Sequence, residues 1–265
     1  MSDSYRWDAA DYARSSSAQQ GWALELIDKL ALAGDETVLD IGCGDGKVTA
    51  ELARRLPRGH VTGVDSSAEM VGAARVSWPV ARYPNLDFQA ADARALPFAD
   101  TFTVAFSNAT LHWVIEHGPV LRGVARALRR GGRLLFQFGG RGNGAAIFQV
   151  AEEMTRAAAW RDFFHGFSFP WGFYGPDQYA PWCREAGLQP RRIELLPRPM
   201  VQQGKAGLMA WIRTTWLPYT QRLPEDLREQ FVEEAATTYL ARRPLDDAGR
   251  AVVEMVRLEV EAVRP

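Results

Sequence analysis

From Thr37 onward, short runs rich in apolar residues alternate with stretches of helical spacing. The runs at 37–41, 60–65, 86–90, 102–107 and 132–138 are short and read as strands. Between them, 47–56, 67–75 and 118–130 carry apolar residues three and four apart, and Leu24, Ile27 and Leu30 mark an earlier helix. Leu121, Val124 and Leu128 define the helix that Gly131–Gly132 is expected to end. This alternation predicts an α/β fold, a doubly wound and mostly parallel sheet with helices on both faces.

The character changes past Gly139. A helix is expected at Ala145–Ala159, then an aromatic loop that includes Trp160, Trp171, Phe173 and Tyr174, a helix at Pro176–Ala186 and a strand at Gln189–Leu195. Helical signals fill 204–241, interrupted at Pro218 and Pro224. The last stretch alternates Leu258, Val260 and Ala262 with Arg257, Glu259 and Glu261, which predicts a half-exposed strand. A helical block of about 40 residues before that strand is longer than an ordinary connection and reads as a lid set into a single domain, 1–265. The expected parts are a core at 37–138, lid segments at 139–186 and 204–242, and the C-terminal strand at 251–263.

The first run ends in chemistry. Asp40 is followed by Gly42, Gly44 and Gly46, with Cys43 supplying a small side chain inside the loop. Strand, glycine loop and helix N-terminus in this order build a nucleotide site. A dinucleotide fingerprint needs its third glycine at position 47, which is Lys47 here. A pyrophosphate disfavours a neighbouring carboxylate, whereas a ligand bearing an ammonium and a sulfonium favours Asp40. The second strand ends in Asp65, placed to accept hydrogen bonds from a ribose diol. Ser66 or Ser67 can cap the next helix, whose Met70 can touch an adenine face. The third strand leads into Asp92 and Ala93.

Composition narrows the picture by exclusion. The chain has 265 residues, 47% of them hydrophobic, and a formal charge of −1, so a large core is available and no basic footprint for nucleic acid exists. Its two cysteines, Cys43 and Cys183, form no disulfide framework or metal pattern, and Cys183 reads as a half-buried helix residue. No apolar stretch resembles a signal peptide or a membrane span, so the expected setting is cytoplasmic. The expected partner is a small molecule, without nucleic acid or membrane, and the expected state is a monomer or weak dimer.

Asp-x-Gly-x-Gly-x-Gly at 40–46 resembles motif I of the class I S-adenosylmethionine-dependent methyltransferases. The resemblance implies a seven-stranded sheet with its last strand antiparallel, S-adenosylmethionine as cofactor and S-adenosylhomocysteine as product. It places Asp92 against the adenine amino group. Ser107–Trp113 resembles the segment after strand four in the trans-aconitate methyltransferase group, with Asn108 near the cofactor; Trp211–Arg222 resembles that group's lid. Residues 1–32 resemble a cofactor cover, with Tyr12 and Gln19 in contact and Trp7 toward substrate. The chain departs from the group where Ser-Ala-Gln-Gln-Gly at 17–21 replaces its His-Arg-x-Arg-Pro segment, which leaves the acceptor open.

His112 follows the fourth strand at the edge where ligands of α/β proteins gather, and can accept a proton or donate to a carboxylate. Trp113, Trp171, Phe173, Tyr174 and Trp211 are candidate pocket walls, and Arg213 and Arg222 candidate partners of an anionic substrate. The implied function is methyl transfer to a small molecule, with a carboxylate oxygen favoured. The alternatives are N- or C-methylation of a heterocyclic or aromatic metabolite, or non-catalytic cofactor binding.

Overall fold

The computed structural model describes the backbone from Ser17 and side chains from Gly21 to Pro265. Trp7 and Tyr12 lie outside the described residues, as does the side chain of Gln19. The described residues divide into two compact units. A sheet unit comprises Gln19–Arg141, Trp171–Leu196 and Arg257–Pro265, and a helical unit comprises Gly142–Pro170 and Pro197–Val256. The segment 139–186, read from the sequence as one cover, is thus shared between the two.

The sheet unit is built on α1 (Ser17–Lys29), β1 (Thr37–Ile41), α2 (Lys47–Arg54), β2 (His60–Asp65) and α3 (Ala68–Ser77). It continues with β3 (Leu86–Ala90), β4 (Phe102–Asn108), α4 (His117–Ala127), β5 (Leu128–Gly139), α6 (Pro176–Glu185), β6 (Gln189–Pro197) and β9 (Val256–Val263). The strand order is β3-β2-β1-β4-β5-β9-β6, parallel from β3 to β5, with β9 antiparallel to β5. Alternate residues feed two cores. Val38, Val104 and Phe106 pack with Leu26, Ala50 and Val71 of α1, α2 and α3, while Leu39, Ala105 and Phe136 pack with Leu121 of α4 and Tyr179 of α6. This is a doubly wound seven-stranded sheet. Cys183 is fully buried rather than half-buried, because α6 turns it into the second core.

Two boundaries differ from the reading above. The helix ends at Ala127, not 130, because Leu128 already pairs with Phe102 of β4. Gly131 and Gly132 then bond Arg264 within β5, where its pairing with β4 shifts register, rather than capping a helix. The 251–263 stretch is two strands: β8 (Ala251–Val253) pairs with a short β7 (Met200–Gln202), and β9 begins at Val256. The polar face of β9 is half-exposed only at Glu261; Arg257 is 4% and Glu259 0% exposed. Glu259 takes hydrogen bonds from Lys29 Nζ at 2.7 Å, Gln137 Nε2 at 2.8 Å and Arg192 at 2.5 Å. Arg257 lies over Trp22 of α1, 4.5 Å from the ring centre.

The helical unit contains α5 (Ala145–Arg156), α7 (Gly204–Thr215), α8 (Leu217–Thr220), α9 (Glu225–Arg242) and the two-stranded antiparallel sheet of β7 and β8. Its core is aromatic: Trp160 meets Phe231 edge-on at 5.2 Å, and Phe148 stacks on Trp216 at 5.6 Å. Among the described residues no helix is long and apolar enough to cross a membrane.

Candidate active site

The glycine loop leaves β1 through Gly42, whose φ of +78° suits only a residue without a Cβ. A Cβ there would also fall 2.0 Å from Thr110 Cγ2. Thr110 Oγ1 donates to Gly42 O at 3.1 Å, so the loop and the segment after β4 touch backbone to side chain. Gly46, at φ +79°, starts α2, and a side chain there would strike Phe88 and Trp78.

Two carboxylates flank this loop. Asp40 is 2% exposed and accepts from Thr49 Oγ1 at 2.7 Å. Burial, opposed by that hydrogen bond and helped by the neighbouring charge of Asp65, pushes its pKa up to about 7. Asp65 Oδ2 accepts from Gly44 N at 3.0 Å and Oδ1 from Ser67 N at 2.9 Å. Burial raises its pKa as well, against these backbone donors. Two acids held above their ordinary range are a site that gains by receiving positive charge. That suits a cofactor with an ammonium and a sulfonium, and Asp65 keeps lone pairs for ribose hydroxyls. Ser67, not Ser66, caps α3 by accepting from Met70 N at 3.2 Å, and Met70 lies over Gly44. Asp92 binds Arg94 N at 2.8 Å and the Arg94 guanidinium at 2.6 Å, which holds its pKa low. Ala93 follows it in a short 3₁₀ turn, and Asn108 ends β4 beside Gln137 of β5.

His112 sits in the 3₁₀ turn Leu111–Trp113, next to the glycine loop through Thr110. Its Nδ1 faces Gly139 N at 3.4 Å, which leaves Nε2 to carry the proton of the neutral ring. Part of the residue stays accessible, but its ring lies 5.6 Å from Trp113 and 6.1 Å from Phe173. Burial, then the Arg257 and His117 charges, depresses its pKa to about 3. Trp171 stacks on Phe173 at 6.2 Å and meets Trp113 edge-on at 5.5 Å. Gly172 N donates to His112 O at 2.8 Å, and Arg141 N to Tyr174 O at 2.8 Å, so these aromatics are tied to the sheet unit. The structure therefore brings together His112, Trp113, Trp171 and Phe173.

Other candidates go elsewhere. Tyr174 turns to His117 and Trp182, and its hydroxyl donates to Ile115 O at 2.6 Å. Trp211 is buried against Trp216 in the helical unit, and Arg213 forms an ion pair with Glu229 at 2.7 Å. Arg222 lies over Phe167 at 5.1 Å.

Thr110, His117 and Arg257 were not picked out by sequence reasoning. His117 is 1% exposed; its Nε2 donates to Leu111 O at 3.0 Å and Val114 O at 2.8 Å, and its Nδ1 accepts from Tyr179 at 2.9 Å. It clamps the turn that carries His112. Its position five residues after His112 was the available signal, but spacing does not reveal a buried ring. Burial lowers its pKa to about 4. A depressed pKa means that the neutral ring's contribution is complete above the unfolded value near 6.5 and is lost as pH falls through about 4. His117→Ala is expected to cost about 2–4 kcal/mol at pH 7, from a cavity and unpaired carbonyls. In thermal melts the gap between wild type and variant should narrow below pH 6; a constant gap from pH 8 to 5 would reject this placement of the ring.

Residues 38–132 match the family model described as a methyltransferase domain. A trans-aconitate 2-methyltransferase of Azoarcus sp. (strain BH72) is 30% identical over 274 residues, 97% of this chain and 99% of its own. The uncharacterized methyltransferase C70.08c of Schizosaccharomyces pombe is 32% identical over 197 residues, 73% of this chain and 74% of its own. Among solved structures, the YcgJ protein of Bacillus subtilis superposes with a TM-score of 0.65 at 20% identity, over 92% of this chain and 98% of its own. Geranyl diphosphate C-methyltransferase of Streptomyces coelicolor A3(2), solved with S-adenosyl-L-homocysteine, gives 0.57 at 18% identity, over 93% and 79%. The chain belongs to the class I S-adenosylmethionine-dependent methyltransferases. Within that class it falls near the trans-aconitate 2-methyltransferase group, and S-adenosylmethionine is its cofactor.

Proposed function

We propose that this methyltransferase esterifies a carboxylate oxygen of a small organic acid. The observation that carries the reading is the placement of His112: its Nδ1 accepts from Gly139 N at 3.4 Å, which leaves Nε2–H as a donor, and burial holds the ring's pKa well below its ordinary value, so it is a poor base at pH 7. A hydroxyl or ring N–H acceptor needs a base; a carboxylate is already ionised. The trans-aconitate 2-methyltransferases among its relatives support an acid acceptor.

Bound S-adenosylmethionine supplies a methyl carbon on a positively charged sulfur. Asp65 takes the ribose hydroxyls, and Asp40, with the loop Gly42–Gly44 and Cys43, faces the cationic end. Met70, Asp92, Ala93 and Asn108 complete the cofactor side. The His112 Nε2–H orients the acid, and Trp113, Trp171 and Phe173 exclude water from the line of attack. The acceptor oxygen forms the C–O bond as the C–S bond breaks, with that electron pair going to sulfur and no proton changing place.

The test is the pH profile of kcat with an acid acceptor, beginning with trans-aconitate. Wild type should be flat from pH 6 to 9, and His112→Ala should stay flat at about one-tenth of the rate, the loss of one orienting hydrogen bond. A rising limb with a midpoint of about 6–7 that disappears in the variant would make His112 a base and remove the support for acid methylation.

A further inference from the structure

β3 is the edge strand beside β2, and neighbouring strands lie about 5 Å apart. Ala90 is the register partner of Asp65, and Ala91 N donates to Asp65 O at 2.9 Å, so Asp92 stands one strand outward from Asp65 at the same carboxyl end of the sheet. A nucleoside with its sulfur end over the glycine loop of β1 and its ribose on Asp65 of β2 therefore extends its base toward β3 and Asp92. One residue fixes the Asp92 carboxylate. Its Oδ1 accepts from Arg94 N at 2.8 Å and Arg94 Nε at 3.0 Å. Its Oδ2 accepts from Arg94 Nη2 at 2.6 Å and shares Nε at 3.1 Å. Arg94 Nη1 in turn lies 3.5 Å from Oε2 of Glu116, the residue before α4. The Asp92 and Arg94 side chains are 41% and 40% exposed, so the pair adds little to stability; what it does is hold the carboxylate in one orientation.

A carboxylate offers about four lone-pair positions, two on each oxygen. Arg94 N and Nε fill both on Oδ1, and Nη2 fills one on Oδ2. The position that remains on Oδ2 accepts an N–H and repels an oxygen. The Arg94 hydrogen bonds also keep Asp92 ionised, so it stays an acceptor only. We propose that Arg94 is a positioning residue for the purine end of the cofactor: by orienting Asp92 it makes that carboxylate accept from the adenine amino group and reject an oxo group at the same place. This rests on the reading that puts Asp92 on the cofactor side, and it adds the residue that sets the choice of base.

The probes are S-adenosylhomocysteine and S-inosylhomocysteine, its analogue with an oxygen in place of the adenine amino group, and calorimetry reads both Kd values. Wild type should bind the adenosyl compound about 30-fold more tightly, as expected for a hydrogen bond to a charged group. Arg94→Met should cut that preference to about threefold, chiefly by weakening the adenosyl compound, because a freely turning carboxylate holds the amino group less well. Arg94→Lys, which keeps the charge without the planar fork, should fall between the two; it decides the matter if Arg94→Met does not fold, and a full wild-type preference in it then counts against the proposal. A merely structural role for Arg94 would weaken both compounds alike, and an unchanged ratio in Arg94→Met overturns the proposal. Asp92→Asn separates the proposal from its premise. A preference that survives Arg94→Met and disappears in Asp92→Asn leaves Asp92 at the base and removes Arg94 from the choice. Equal binding of both compounds by wild type removes Asp92 from the base and Arg94 with it.

Discussion

Gly42→Ala should abolish measurable S-adenosylhomocysteine binding and lower the melting temperature by about 5–10 °C, from roughly 2 kcal/mol or more of strain and overlap. Two independent costs act at this position. The backbone stands at φ +78°, where an L side chain is strained, and the new Cβ would lie 2.0–2.5 Å from three side-chain atoms of Thr110, including its Cβ. Rotating the threonine cannot clear its own Cβ, so backbone must move. The displaced backbone carries His112 two residues on, and the displaced loop carries Gly44, which bonds Asp65. One methyl group thus disturbs both halves of the site. The double variant Gly42→Ala/Thr110→Gly removes the overlap and keeps the φ strain, so it should recover part of the binding. Wild-type affinity in Gly42→Ala alone would refute the close approach.

What the sequence reveals divides along physical lines. The parallel strands were legible because their buried positions leave short runs rich in apolar residues, and these alternate regularly with stretches of helical spacing. The glycine loop was legible because close approach restricts residue type at Gly42 and Gly46. The register shift in β5 was not, since Gly131–Gly132 suits a helix end and an irregular strand equally well in one dimension. The burial of Arg257 and Glu259 was misread because alternation reports which residues share a face and not what covers that face. Here α1 covers it, bringing Trp22 and Lys29 from more than two hundred residues away. The same limit hid His117, a polar residue whose partners are two carbonyls and a tyrosine that only the fold assembles. The division of the aromatic run between two units follows from hydrogen bonds of Gly172 and Tyr174 to the sheet unit, which no composition encodes.

Asp65→Ala should raise the Kd for S-adenosylhomocysteine about 100-fold, near 3 kcal/mol, while the chain stays folded. Part of the loss is the ribose contact and part is the loop, because Gly44 N and Ser67 N lose their acceptor. A cofactor analogue lacking the ribose hydroxyls separates the two. Wild type should bind it weakly, and the variant should bind it as well as it binds the parent compound. The substitution also acts on Asp40. In the wild type, burial followed by the Asp65 charge raises the Asp40 pKa to about 7, so the ligand-free protein favours the protonated acid below that pH and loses stability as pH rises through it. Cationic S-adenosylmethionine needs the ionised form, and its affinity should therefore climb between about pH 6 and 8. With Asp65 gone, the repulsion goes too, the Asp40 pKa falls, and the midpoint of that climb should move to lower pH even as overall affinity drops. Titration calorimetry across pH 5.5–8.5 reads both effects. An unchanged midpoint would show that the two carboxylates do not share the field of one cationic site, and an unchanged affinity would remove Asp65 from the cofactor.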